Sequence, residues 1–326
     1  MHVKLIRHLV LGAIGVLHFS AALHAAEFPD RPITIVVPYA NGGQGDIIAR
    51  AIADNLPARI GQAVIVVNRP GANGVIGTNA VAQAKPDGYT IGVVVASHAV
   101  SPAFNANLPF DSVNDFVPIT TAALTEMVVV GAPTMAPRNL KEFIALAKAK
   151  PGELVYKSAG PGSNSHLFAE WLQDGAGIRL IHAPYKGSGD SARDLVAGVI
   201  HLGFDTLPGV KGYIANQQMK LLAVGGPKRS ASYPDVPTVA EYSGIADFQA
   251  NTWSMVLAPK GTPSDVVNKL NREIIAVFQM PAVRQRLEST GAQIVGNTPA
   301  QARDMLASQV KFYGDLVKRL DLKVTN

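Results

Sequence analysis

The sequence predicts an α/β protein of two similar lobes, each a mainly parallel sheet flanked by helices, with a cleft between the lobes. Three observations carry this. Apolar, β-branched runs alternate with segments of helical period. The order strand, loop, helix, strand, loop, helix, strand occurs twice. A helix-rich final third follows, with too few strands for a sheet of its own, and it is expected to return to the first lobe. A chain of 326 residues is long enough for two cores.

Residues 1–26 read as an export signal. Lys4 and Arg7 precede an apolar run from Leu9 to about Ala22, and small residues end the segment at Ala25 and Ala26. An uncleaved anchor is the other reading, although the run is shorter than the roughly 20 residues a membrane-spanning helix needs. In the first lobe Ile33–Tyr39 is a strand, the loop Ala40–Gly45 follows, and a helix begins at Asp46 with Ile48, Ile52 and Leu56 on one face. Ala63–Val67 is the second strand, a helix covers about Ile76–Ala84, and Tyr89–Ala96 is the third strand. In the second lobe the strands are Glu153–Lys157, Arg179–Ala183, Val199–Asp205 and Lys220–Gly225, with helices at Ser165–Asp174, Ser191–Ala197 and Val210–Gln217. Trp253–Ala258 is a strand. Helices at Ser264–Phe278 (Ser264 as its cap), Ala282–Ser289 and Pro299–Leu320 complete the chain. The chain is expected to cross between lobes near 122–128 and 248–254.

Composition narrows the function. There is no cysteine, which excludes disulfides, thiol catalysis and cysteine-held metals. The formal charge is +5; removing Lys4 and Arg7 from 29 basic side chains leaves 27 against 24 acids, or +3. With no Lys/Arg-rich run and few aromatics, nucleic acid is a poor partner. The motifs G-x-S-x-G, H-E-x-x-H and G-x-x-x-x-G-K-[ST] are absent, and His98, His166, His182 and His201 lack metal-ligand spacing.

The candidate chemistry lies in the glycine-rich loops at the carboxyl edge of the strands, where open α/β sheets bind ligands. Residues 41–46 and 158–166 would face each other there. Glycine lets backbone N–H groups approach a guest, and a helix N-terminus favours an anion. Each loop also has a plain reading as a turn. Ser163, Asn164 and Ser165 cap a helix or donate to a ligand, and His166 is a donor to a carboxylate or a structural residue. Asp46 reads as a cap that fixes the first loop. Asp205 could hold a water, accept from a ligand amine or organise a loop. Lys186 is either a charge partner or a surface lysine, while Ser97 and His98 stand at the correct edge for contact.

Blocks in order along the whole chain then match a known family. They include Phe28-Pro29-Asp30-Arg31-Pro32, Val36-Val37-Pro38-Tyr39-Ala40-Asn41-Gly42-Gly43, Val67-Asn68-Arg69-Pro70-Gly71, Lys85-Pro86-Asp87-Gly88-Tyr89, Gly160-Pro161-Gly162-Ser163-Asn164-Ser165-His166, Phe204-Asp205 and Pro259-Lys260-Gly261-Thr262-Pro263. The chain resembles the Bug family, extracytoplasmic solute receptors of tripartite tricarboxylate transporters. The resemblance implies a periplasmic binding protein of type II-like, two-lobed fold, with lobe one from residues 27–125 plus 254–326 and lobe two from 126–253. Tyr39, Asn41, Gly42, Gly43 and Asp46 would form one wall. Ser158, Gly162, Ser163, Ser165 and His166 would form the other, with Asp205 beside them. Asn41 stands where the family often has proline or another small residue. The implied function is capture of a carboxylated organic acid (di- or tricarboxylate, or aromatic acid) and delivery to membrane transporter subunits. The protein would act as a periplasmic monomer without cofactor. The alternatives are a periplasmic enzyme using His166 or His98 as base, and the ligand-binding partner of a sensor.

Overall fold

The computed structural model describes residues 28–185 and 188–322; the export segment expected at 1–26 and Lys186 lie outside them. The chain opens with strand β1 (Ile33–Val37), then α1 (Gln44–Asn55), α2 (Pro57–Ile60), β2 (Val64–Asn68), α3 (Val75–Ala82), β3 (Thr90–Val95) and α4 (Ser97–Phe104). A sixteen-residue strand, β4 (Phe116–Gly131), leads to α5 (Leu140–Ala149), β5 (Val155–Ser158), α6 (Asn164–Ala176), β6 (Ile181–Pro184) and α7 (Ser188–Val196). Next come β7 (Leu202–Thr206), α8 (Leu207–Ala215), β8 (Lys220–Val224), α9 (Val239–Ser243) and β9 (Asn251–Pro259). The chain ends with α10 (Ser264–Gln279), α11 (Pro281–Ser289), β10 (Ala292–Ile294) and α12 (Pro299–Arg319).

The strand order explains why two lobes form. β2–β1–β3 and β6–β5–β7 are parallel trios of identical layout, each with its first strand in sequence in the middle. β1 is buried on both faces: Ile33, Ile35 and Val37 join a cluster with Ile48, Ile52 and Leu56 of the α1 segment, while Val36 joins the opposite cluster with Val81 and Val100. That is why its sequence is a continuous apolar run rather than an alternating one.

The trios do not stay separate. β9 pairs antiparallel with β3 and with Phe116–Glu126 of β4, whereas Met127–Gly131 of β4 pairs with β7 and β8. The strands are therefore hydrogen-bonded in one continuous path, β2-β1-β3-β9-β4-β7-β5-β6. Each lobe keeps its own parallel trio, and the long strands β4 and β9 join the two. At about 3.3 Å per residue, β4 runs roughly 50 Å, enough to serve both trios.

The C-terminal helices divide their labour. α10 and α11 pack Leu270, Ile274, Phe278 and Leu287 onto the β1 side. α12 instead places Leu306, Tyr313 and Leu316 in the cluster that also holds Trp171 of α6 and Phe248. Arg319 also pairs with Asp247 at 3.2 Å. α10 and α11 thus pack beside β1, whereas α12 straddles, packing in a cluster that holds both Val94 of β3 and Phe204 of β7. Ser264 is the first residue of α10 rather than its cap, since Pro263 occupies the cap position and fixes the chain entry with its own φ of −56°.

Candidate functional site

Both trios raise their glycine loops at the same edge. The loop after β1 ends in the N-terminus of α1, capped by Gly43, which has no side chain to occupy the first-turn N–H groups. Tyr39 folds back over this loop. Its hydroxyl bonds Ser97 Oγ at 2.9 Å, and its ring lies against Gly74, where an added Cβ would sit 2.8 Å from the ring. Gly74 also has φ +96°, so the position needs glycine twice over.

Asp46 holds the loop and does not line the cleft. It is the third residue of α1, not its cap. Its carboxylate accepts from Gly42 N at 2.9 Å, Arg50 Nε at 2.9 Å and Asn68 Nδ2 at 3.0 Å. Burial pushes this carboxyl up, but the three donors outweigh burial and hold it below the usual carboxylate range.

The opposing loop after β5 is built by its serines. Ser163 caps α6, accepting from His166 N at 3.3 Å and donating to Gly160 O at 2.7 Å. Ser165 Oγ accepts from Ala159 N at 3.0 Å, and Ser158 Oγ accepts from Gly160 N at 3.0 Å while sharing a 2.6 Å bond with His182 Nε2. Asn164 differs from all three. Its side chain is buried, and neither Nδ2 nor Oδ1 has a hydrogen-bond partner among the described residues. A buried amide without partners costs stability, so this group is poised for a guest.

Between the loops lies a cavity of about 290 Å³, where Tyr39, Gly43, Ser97, Ser163, Asn164, Ser165 and Asp205 meet. Gln44, Asn73, Thr206 and Thr252 also line it. A second cavity, about 470 Å³, adjoins it through Gly43, Gln44, Asp205 and Thr206 and is lined by Gly42, Thr125, Lys157 and Lys211 among others. Ser158 borders a small recess of about 90 Å³ with Lys157 and Asp205.

Asn41, Gly162 and His166 stand outside these linings. Asn41 is exposed. Gly162 turns the loop with φ +73°, and its carbonyl accepts from Asn73 Nδ2 at 3.2 Å, tying this loop to the segment between β2 and α3. His166 lies in a ring stack, 5.7 Å from Phe104 and 4.6 Å from His182. Its Nδ1 accepts from Gly162 N at 3.4 Å. Burial, then the neighbouring His182, push it down to about 4, so it is a neutral loop support rather than a cationic donor. His98 is buried, bonds Ser112 O at 2.9 Å and is likewise pushed down to about 4 by burial; it belongs to the core and not the cleft.

Sequence reasoning missed Lys157. It lies on β5 opposite Gly203 of β7, and Asp205, two residues on, shares that face. Lys157 Nζ reaches Asp205 Oδ2 at 2.6 Å and Ser191 Oγ at 3.2 Å. Its side chain passes over Gly203, where a Cβ would come within 2.6 Å of Lys157 Cε. Lysine is almost never fully buried unless paired, so a lysine in an apolar strand was the available signal.

Residues 48–322 match the model of the tripartite tricarboxylate transporter family receptor. Protein BugT of Bordetella pertussis is 36% identical over 307 residues, covering 94% of each chain. The fold of periplasmic binding protein BugD superposes with TM-score 0.82 at 32% identity, over 91% of this chain and 99% of that one. A protein of R. palustris solved with adipate gives TM-score 0.83 at 29% identity, over 90% and 98%. MatC from Rhodopseudomonas palustris with bound malate gives 0.80 at 28%, over 89% and 100%.

Proposed function

The chain belongs to the tripartite tricarboxylate transporter receptor family, of the Bug type, and we propose that it captures a small organic acid bearing at least one carboxylate in the cleft between its lobes. One observation carries this reading. The N-termini of α1 and α6, together with the unpartnered amide of Asn164, converge on a single cavity. Helix N-termini present N–H groups and a positive dipole end, which favours an anion. The Asn164 Nδ2 adds a side-chain donor. The adipate and malate seen with two neighbours of similar fold support a carboxylate as guest.

Binding would proceed by capture and closure. The carboxylate lands on one loop, and the other lobe rotates until its loop completes the shell. Closure requires that the closed form bind the guest better than the open one. The moving units in this reading are residues 27–125 with 254–326, and residues 126–253, hinged where β4 changes partners. The chain is exported through its N-terminal segment, cleaved after Ala25 or Ala26, and hands the acid to membrane subunits of a transporter. In this reading His166 acts through the loop, so its loss weakens binding indirectly.

A thermal-shift series tests the proposal, with the exported form facing adipate, malate, succinate, citrate, benzoate, aspartate and glutamate. A ligand at 100 times its Kd should stabilise the fold by about 2.7 kcal/mol. No shift with any of these acids would overturn the carboxylate reading. Uptake of the bound acid by cells lacking this chain, undiminished, would overturn delivery to a transporter.

A further inference from the structure

We propose that Lys157 is a specificity residue that makes the cleft select carboxylates without an amino group. The inference rests on the carboxylate reading above. Asp205 borders the cavity where the two loops meet, the larger neighbouring cavity and the small recess. Its carboxylate is the group that would accept an ammonium from an amino-acid ligand. That place is already taken. The Lys157 ammonium sits 2.6 Å from Asp205 Oδ2 as an ion pair without the alignment of a hydrogen bond, and it donates to Ser191 Oγ at 3.2 Å. Lys157 is 4% exposed, so this cation is fixed in the wall and water does not compete strongly for it.

The consequence follows from charge counting at the wall. Paired, Lys157 and Asp205 sum to zero, and a dianionic guest is not repelled. An α-ammonium brought beside Asp205 would have to displace Lys157 or lie next to it, and like charges in a partly desolvated site oppose each other. Lys211, which lines the larger cavity, adds a second cation and points the preference the same way. The strand geometry makes the pair durable: Lys157 and Asp205 share one face of adjacent parallel strands, and Gly203 leaves the lane between them open.

The test is titration calorimetry on the exported form with matched pairs: succinate and aspartate, glutarate and glutamate, adipate and 2-aminoadipate. The unmodified chain is expected to bind at least one diacid about tenfold or more tighter than its amino partner, the scale of a single charge coupling. In Lys157→Met the bare Asp205 should lower diacid affinity and move that ratio about tenfold or more toward the amino acid. In Asp205→Asn the bare Lys157 should do the opposite and strengthen diacid binding. If Lys157→Met does not fold, Asp205→Asn carries the test, and weakened diacid binding in it would overturn the inference. An unchanged ratio in Lys157→Met, or equal weakening of the diacid by both single changes, would overturn the inference and leave the carboxylate reading intact. No diacid binding by the unmodified chain would overturn the inference, and the carboxylate reading falls only if citrate and benzoate also fail to bind.

Discussion

Asn164 holds its amide buried and unpartnered at the first turn of α6. An unsatisfied polar group weakens the unliganded fold and strengthens the liganded one. Asn164→Ala is therefore expected to leave the melting temperature of the free protein unchanged or raised, while acid affinity falls by roughly tenfold, about one hydrogen bond. Calorimetry beside a melting curve separates the two effects. His166 makes stability depend on pH. Its folded value lies at about 4, below the ordinary 6.5, so the neutral form is the one the fold favours. Its contribution is complete above pH 6.5 and is lost as pH falls from 6.5 toward 4, on the order of 3 kcal/mol in all. His166→Asn should reduce, not abolish, the dependence of the melting temperature on pH over that window, since His98 titrates there too, and an unchanged slope would remove His166 as a cause. Ser163 and Asn164 were readable from sequence because a serine before a helical period is a local signal. Lys157 was not, because its meaning depends on β7, forty-odd residues away in sequence and adjacent only once the strands pair.

At the scale of elements, the loop after β1 depends on α1 for its shape. Asp46→Ala would strip Gly42 N, Arg50 and Asn68 of their common acceptor. The expected cost is about 2–3 kcal/mol, the range for breaking a buried charged hydrogen-bond set, with weaker ligand capture as the loop loosens. Chemical denaturation gives the stability cost; a cost near zero would mean the loop holds itself. Because the folded carboxyl is held below its usual range, this contribution is present above the unfolded value and is lost as pH falls through the folded one. The parallel trios and most helices were legible because their period is local. β4 was not. Its sequence carries Pro118 and Glu126, residues poorly suited to a central strand. Pairing explains them: the register with β9 shifts between Pro118 and Thr120, where a bulge tolerates proline. Glu126 is accommodated by Ser230 Oγ, which donates to it at 2.6 Å.

For the whole molecule, the segment between β2 and α3 already touches the loop after β5 through Asn73 Nδ2 and the Gly162 carbonyl. Asn73 has φ +51°, a conformation glycine adopts freely, so Asn73→Gly removes the bond without straining the turn. If the bond belongs to the closed form, affinity should fall roughly fivefold, as a modest hydrogen bond allows, with a larger radius of gyration in solution scattering of the liganded protein. Equal affinity would mean the contact is indifferent to closure. The straddling helix α12 has an optical consequence. The chain has two tryptophans, and both touch α12: Trp253 Nε1 donates to Gln309 at 3.2 Å, while the Trp171 ring lies 5.8 Å from Phe312 with the Arg319 guanidinium 5.4 Å from its centre. Indole emission responds to nearby charge and packing, so any slide of α6 against α12 would change colour or intensity. Unlabelled protein should therefore report its own ligand by intrinsic fluorescence, and Trp171→Phe should silence most of that signal while sparing affinity.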